Sequence, residues 1–185
     1  MQSHRRDLLK GALGLAGGLA GGFAGATMFG GAARAAAVEP RSLSLLNLHT
    51  GEKLKATYFE GGEYLPDALE AMNRLLRDFR TGDVHPIAPN LLDLVNTLQG
   101  RLDTTQTVHV ISGYRSPHTN ALLHERSNGV ATKSLHMQGL AMDIRIPGVE
   151  LADLRNAALG LQRGGVGYYP SSDFVHVDVG RVRRW

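Results

Sequence analysis

Polar and apolar residues alternate through Ser42-Leu43-Ser44-Leu45, the period-two pattern of a half-buried strand. His49-Thr50-Gly51-Glu52 follows with turn chemistry, and Lys53 to Phe59 returns as a second strand. The opening therefore predicts a hairpin, which Gly61-Gly62 ends. The period then changes. Pro66 opens a helix predicted to run to Arg80, with Leu65, Leu69, Met72, Leu76 and Phe79 on one face. Pro in its first turn and Gly82 beyond its end fit the asymmetry of helix termini. Asp83 to Pro89 reads as a loop. Asn90 is the expected cap of a second helix, whose stripe is Leu91, Leu94, Val95, Leu98 and Leu102.

From Thr107 the texture turns to strands. Thr107 to Ser112 is predicted as a strand, Pro117 to Glu125 as a short helix, and Arg126 to Lys133 as a loop turning at Asn128-Gly129. Leu140 to Ile146 is a strand, Val149 to Leu161 a helix, Gly165 to Tyr169 a strand, and Phe174 to Val179 a last strand that closes the sheet. The order is mixed rather than regularly βαβ. It predicts an α+β fold with a mainly antiparallel sheet packed against helices. No repeat and no second domain is legible after the first 37 residues.

Alternation also assigns faces. Leu140, Met142, Ile144 and Ile146 share one side of their strand, and Ala141, Asp143 and Arg145 share the other. In the last strand Val175, Val177 and Val179 oppose Phe174, His176 and Asp178. Each strand has an apolar side for helices and a polar side with chemistry. His136, seven positions before Asp143, enters from the loop leading into that strand. Two imidazoles and a carboxylate suit a catalytic zinc ion, which takes three protein ligands and keeps one position open. Taken singly, His136 reads as a loop histidine, His176 as a satisfied strand histidine and Asp143 as an ion-pair partner. Together they compete with that plain reading, because the chain has no cysteine.

Residues 1–37 read as a leader. Arg5-Arg6-Asp7-Leu8-Leu9-Lys10 is basic, and the uncharged stretch Gly11 to Gly31 holds nine glycines. Ala33-Arg34-Ala35 and Ala35-Ala36-Ala37 are small-x-small cleavage sites. The paired arginines resemble a Tat export signal, although His4 and Leu8 stand where that signal usually has Ser or Thr and Phe. The competing reading is an uncleaved membrane anchor, since the segment is about long enough to span a bilayer. Either way residues 38–185 are expected outside the cytoplasm, in the periplasm.

The leader also distorts the charge. The chain has 20 basic and 17 acidic residues, of which four basic and one acidic lie in the first 37, so the remainder carries sixteen of each. The pI near 9.4 belongs to the leader and gives no support to nucleic-acid binding. With no cysteine, the exported fold relies on its core and any metal on His and carboxylate.

Ser134-x-His136-x-x-Gly139-x-Ala141-x-Asp143 matches every fixed position of the Ser-x-His-x-x-Gly-x-Ala-x-Asp signature of zinc D,D-peptidases. That superfamily includes VanX-type dipeptidases and the hedgehog signalling domain. Ser112-Gly113-Tyr114-Arg115 resembles the arginine-bearing turn of the same enzymes, and Asp173-x-x-His176 resembles their Glu-x-Trp-His. The opening hairpin, Ser-Gly-Tyr-Arg-Ser-Pro and the closing His-Val-Asp-x-Gly-x-Val-Arg-x-Trp extend a likeness to murein endopeptidases of the K type over essentially the whole chain. The resemblance implies a hedgehog/D,D-peptidase-like fold in a zinc peptidase domain of residues 38–185. It implies one Zn²⁺ on His136, Asp143 and His176, with Asp173 as general base and Arg115 as oxyanion stabiliser or carboxylate clamp. Asp173 is one methylene shorter than the usual Glu. Zn²⁺ is the default for such a set, with Mn²⁺ and Co²⁺ also possible.

The implied activity is hydrolysis of peptidoglycan cross-links, D,D or L,D, by a monomer that needs no membrane once the leader is removed. Its rivals are a D,D- or L,D-carboxypeptidase and a zinc-containing wall-binding module without turnover. Ser134 is expected to orient the metal-bearing loop. Asp178 is expected to hydrogen-bond a ligand imidazole or to pair with Arg145 or Arg181. His49 and His85 are expected in solvated turns, His109 in a strand near the cleft, His118 at a polar helix start with some chance of touching substrate, and His124 at the surface. Arg181, Arg183, Arg184 and Trp185 either meet wall carboxylates or fasten the C-terminus.

Overall fold

The computed structural model describes residues 38–126 and 131–185, so the proposed leader and the Asn128-Gly129 turn lie outside the described residues. The hairpin forms as β1 (Arg41–Asn47) and β2 (Lys53–Glu60), antiparallel with Leu45 opposite Leu54. A two-residue strand, β3 (Glu63–Tyr64), follows the Gly61-Gly62 turn. Then come α1 (Pro66–Leu75), α2 (Pro89–Arg101), β4 (Val108–Ser112), α3 (Pro117–Arg126), β5 (Ala141–Arg145), α4 (Leu151–Leu161), β6 (Gly165–Tyr169), β7 (Phe174–Asp178) and β8 (Arg183–Arg184).

All eight strands form one sheet in the order β3-β2-β1-β4-β5-β7-β6-β8. The β1/β4 and β6/β8 pairs are parallel, and the others are antiparallel. The α+β expectation therefore holds. The last long strand does not close the sheet, however. β7 lies between β5 and β6, and β8 forms the edge beyond β6. A short edge strand after Gly180 leaves no alternation long enough to read from sequence.

Two helix boundaries also differ. α1 stops at Leu75, five residues before Arg80. The Leu76 carbonyl accepts from Tyr114 N–H at 2.7 Å, and the Asp78 carboxylate accepts from Arg80 N–H at 2.9 Å and Ser116 N–H at 2.8 Å. Bonds to a distant turn and a local side-chain turn replace the helical ladder there. In α2, Ala88 is the cap and Asn90 lies inside the first turn. Pro89 takes the first helical position, where its missing N–H costs nothing.

The core fills one side of the sheet. Leu43, Leu45, Val108, Val110, Met142, Ile144, Val175 and Val177 cluster with Met72, Leu76, Leu91, Leu92, Val95, Leu98 and Leu154. Each fully buried aliphatic side chain contributes about 1.5–3 kcal/mol relative to exposure. The described residues belong to one compact unit with this core of its own. The other side of the sheet is polar, with Ser42 and Thr57 hydroxyls 2.8 Å apart and Ser44 and Thr107 hydroxyls 2.9 Å apart. No helix among the described residues is long and apolar enough to cross a membrane.

Candidate metal centre

Register places the first two candidate ligands. Asp143 of β5 and His176 of β7 are direct cross-strand partners, so their side chains rise from the same face. His136 comes from a single 3-10 turn, Leu135–Gln138, rather than from an irregular loop. Ser134 caps this turn, its hydroxyl accepting from His136 N–H at 3.3 Å. Gly139 ends it in the left-handed conformation, φ 66°. A Cβ there would collide with the Pro86 carbonyl, so both the angle and the space demand glycine. Ala141 is fully buried opposite Asp178. The spacing of the motif thus corresponds to cap, imidazole, left-handed stop, small strand residue and carboxylate.

The three side chains converge. His136 Nε2 lies 3.2 Å from His176 Nδ1 and 3.3 Å from Asp143 Oδ1, and His176 Nδ1 lies 2.9 Å from Asp143 Oδ1. Ligand bonds of about 2.0–2.1 Å in a tetrahedron give edges of about 3.3 Å, so this triangle has the size of one face of such a polyhedron. The remaining ring nitrogens are occupied elsewhere. His136 Nδ1 is 2.8 Å from the Gly113 carbonyl, and His176 Nε2 is 3.0 Å from Asp178 Oδ2. Each of those nitrogens donates to its oxygen, which turns the lone pair of the other nitrogen toward the triangle. Two imidazole lone pairs and a carboxylate oxygen facing one point form a donor set suited to a divalent cation.

Electrostatics reinforce the arrangement. Burial by itself would raise the Asp143 carboxyl, but the charge and hydrogen bond of His136 and the bonds of His176 outweigh it and hold Asp143 well below the usual carboxylate range. Burial opposes protonation of His176, yet its carboxylate partners Asp143 and Asp178 prevail and raise it, so the position favours positive charge, which a proton or a metal cation in its place would supply. Asp178 is fully buried and held ionised, because His176, Arg183 and the N–H groups of Gly165 and Gly180 overcome the cost of burial. Its Arg183 contacts are two-pronged, at 3.0 and 2.7 Å. The sequence left Asp178 between an imidazole bond and an ion pair. It makes both, with Arg183 as the cation.

Arg115 reaches the same centre. Its backbone N–H donates to the His136 carbonyl at 3.2 Å, joining the Ser112–Arg115 turn to the histidine turn. Its guanidinium lies 3.8 Å from Asp143 Oδ2, with long contacts to Asn120 (3.4 Å) and Ser112 (3.5 Å). Burial is the main influence on this guanidinium and lowers its pKa, with Asp143 acting against that. Asp173 is not brought in with the other four. Its side chain is 60% exposed and ion-paired with Arg145 outside the triangle. The reason is local: Asp173 caps the 3-10 turn Pro170–Ser172 in a left-handed conformation, φ 52°, and stands before the first residue of β7.

The triangle opens into a cleft of about 490 Å³ lined by Arg115, Lys133, Arg183, Tyr169, Phe174 and Trp185, among others. Asp143 is the only carboxylate side chain among the described residues that line it. Lys133, Tyr169 and Phe174 were not singled out from sequence. Tyr169 could have been found by alternation, because it pairs with Phe174 across β6 and β7 and stacks on it at 4.5 Å. Trp185 lies 5.1 Å from the His176 ring, on a floor left by Gly167, where a Cβ would meet the indole at 2.7 Å. His49 is exposed, as expected, although its ring stacks on Phe79 at 3.8 Å, whereas His85 is half-buried against Tyr114 at 4.7 Å. His109 is half-buried in β4, while His118 and His124 are exposed and outside the cleft lining.

Comparison with known sequences agrees with this geometry. The profile of the family described as peptidoglycan L,D-endopeptidase MepK matches residues 35–185. The Escherichia coli K12 protein of that name is 50% identical over 146 residues, which cover 79% of this chain and 80% of that one. The Shigella flexneri protein shows the same identity and coverage. A Haemophilus influenzae protein, named a probable peptidoglycan L,D-endopeptidase MepK, is 43% identical over 148 residues, 80% of each chain. With the match spanning the whole described unit, the chain belongs to the peptidoglycan L,D-endopeptidase MepK family.

Proposed function

We propose that this chain is an exported zinc endopeptidase that hydrolyses L,D peptide cross-links of peptidoglycan, with His136, Asp143 and His176 as metal ligands. The observation that carries the reading is the triangle of three acceptor atoms 2.9–3.3 Å apart. Family membership supports the substrate, since the relatives are named for it. The cleft supports it too: Arg115, Lys133 and Arg183 face a stem peptide that carries free carboxylates. The family match starting at residue 35 supports a division into a leader of 1–37 and a peptidase domain of 38–185. The paired Arg5-Arg6 make the proposed leader Tat-type, and the domain acts in the periplasm as a monomer.

A bound Zn²⁺ supplies Lewis acidity toward the scissile carbonyl and acidifies water. The chain's own residues do the rest. Arg115 offsets the negative charge that develops on the carbonyl oxygen. Asp173 takes the proton of the attacking water on a carboxylate oxygen and returns it to the leaving nitrogen. That role requires Asp173 to leave its Arg145 contact and turn toward the cleft mouth. Asp178 and the Gly113 carbonyl hold the two imidazoles in the tautomers that present lone pairs inward. The test is incubation of residues 36–185 with cross-linked muropeptide dimers, with and without a chelator. Monomers formed only without chelator are expected. Shortened stems with intact cross-links, or cleavage that survives chelation, would overturn the assignment.

A further inference from the structure

Trp185 stands between two hollows. One side of it lines the metal cleft; the other lines a second groove of about 590 Å³ on the α4 side of the sheet. The wall and floor of this groove come from Arg155 and Leu159 of α4, Tyr168 of β6, Arg184 of β8 and Trp185. Alternation explains why it is separate. Tyr168 pairs with Val175 and faces the helices, whereas Tyr169 pairs with Phe174 and faces the cleft.

Its chemistry is specific. No carboxylate side chain lines it, and neither Arg155 nor Arg184 has an acidic side-chain partner among the described residues. Arg155 lies over the Tyr168 ring at 4.5 Å and donates to the Asn156 side-chain oxygen at 2.8 Å, so its fork is held in place rather than free to sweep solvent. Two cationic forks above an aromatic and aliphatic floor match a ligand with carboxylates on an aliphatic body. Lone phosphate would use the arginines but leave the apolar floor without a partner.

We propose that this groove is a second binding site for a peptidoglycan stem peptide. It would hold a stem of the same wall that is not being cut, and so keep the enzyme on the polymer between cleavages. The assignment of wall as substrate rests on the proposed function; the groove's preference for a carboxylate-bearing peptide rests on its own residues. Continuity past Trp185 argues for this occupant, because a cross-linked wall presents neighbouring stems to both sides of one side chain.

The experiment compares residues 36–185 with R155Q, R184Q and the double variant, each checked by thermal melting. Co-sedimentation with intact sacculi should weaken by about tenfold in the double variant. Cleavage of a small soluble muropeptide dimer should stay within about twofold, because neither arginine touches the metal cleft. Titration with a free stem tetrapeptide should perturb the indole fluorescence of Trp185, the chain's one tryptophan. Because Trp185 also lines the metal cleft, the part of the change that belongs to the groove is the part lost in the double variant, and the same peptide amidated at its carboxylates should not produce it. Undiminished sacculus binding by the double variant would overturn the proposal, as would equal binding of the amidated peptide. Sacculus binding that depends on the arginines in a protein that cuts no cross-link would sink the hydrolase reading and leave the groove standing. Cleavage of dimers with arginine-independent sacculus binding would do the reverse.

Discussion

The two faces of β5 and β7 are almost equally buried, for opposite reasons. On one face Met142, Ile144, Val175 and Val177 are at most 1% exposed and need only close packing. On the other, Asp143, His176 and Asp178 are at most 8% exposed, and nearly every polar atom there has a named partner. An apolar side chain lost from the first face leaves a cavity. A polar one lost from the second leaves a charge or lone pair stranded at low dielectric. Stability should therefore be concentrated on one side of the sheet and chemistry on the other, only one strand thickness apart.

The sharpest way to break that contrast is at the ligands. H136A and H176A should lose stoichiometric zinc by elemental analysis and reduce dimer cleavage to background, while far-ultraviolet circular dichroism stays native. Next comes the rim. D173N should keep zinc and lose about 10²–10⁴-fold in turnover, the usual range for a general base, and retained turnover would remove Asp173 from the mechanism. On the apolar face, I144A should cost about 2–5 kcal/mol in urea unfolding and leave the zinc content of the folded protein unchanged. If I144A also lost zinc, the two faces would not be separable.

D178N is smaller and more telling. It removes the carboxylate behind the His176 imidazole and should weaken zinc affinity about 10–100-fold in competition with a chromophoric chelator. The smallest effect is at Asp78. Burial would raise this carboxyl, but the nearby Thr119 hydroxyl and the N–H groups of Ser116 and Arg80 that donate to it bring it down to about 2. A folded pKa below the unfolded value of about 3.9 adds stability that is complete above pH 4 and fades as pH falls through 2. The melting temperature of D78N should thus lie below wild type at neutral pH, and the gap should narrow between about pH 4 and pH 2. A gap independent of pH would mean that Asp78 acts through packing alone.

Much of this was legible in the chain. The hairpin, the apolar stripes and the alternation through β5 and β7 follow from short-range patterns, since strand and helix periods act over a few residues. The set His136, Asp143 and His176 is one candidate among plainer readings until the likeness to the zinc D,D-peptidase signature singles it out. The motif positions Ser134 and Gly139 were visible too, though only the structure shows Gly139 pressed against Pro86. Other features depended on partners far away in sequence. α1 ends early because the N–H groups of Tyr114 and Ser116 donate to the Leu76 carbonyl just past its end and to the Asp78 carboxylate in the loop beyond. β7 lies inside the sheet because β6 and the two-residue β8 pair outside it. Asp173 faces Arg145 rather than the triangle because a left-handed residue turns it away before β7 begins.

The sequence by itself determined which side chains are able to bind a metal and which face of each strand they occupy, because chemistry and pleat are properties of residues and their near neighbours. Only the tertiary structure decided that Asp143 stands opposite His176, that Asp178 and Gly113 hold the imidazoles, and that Trp185 divides a cleft from a groove. Register and strand order join residues tens of positions apart, and that pairing is set by the packing of the whole sheet rather than by any local run.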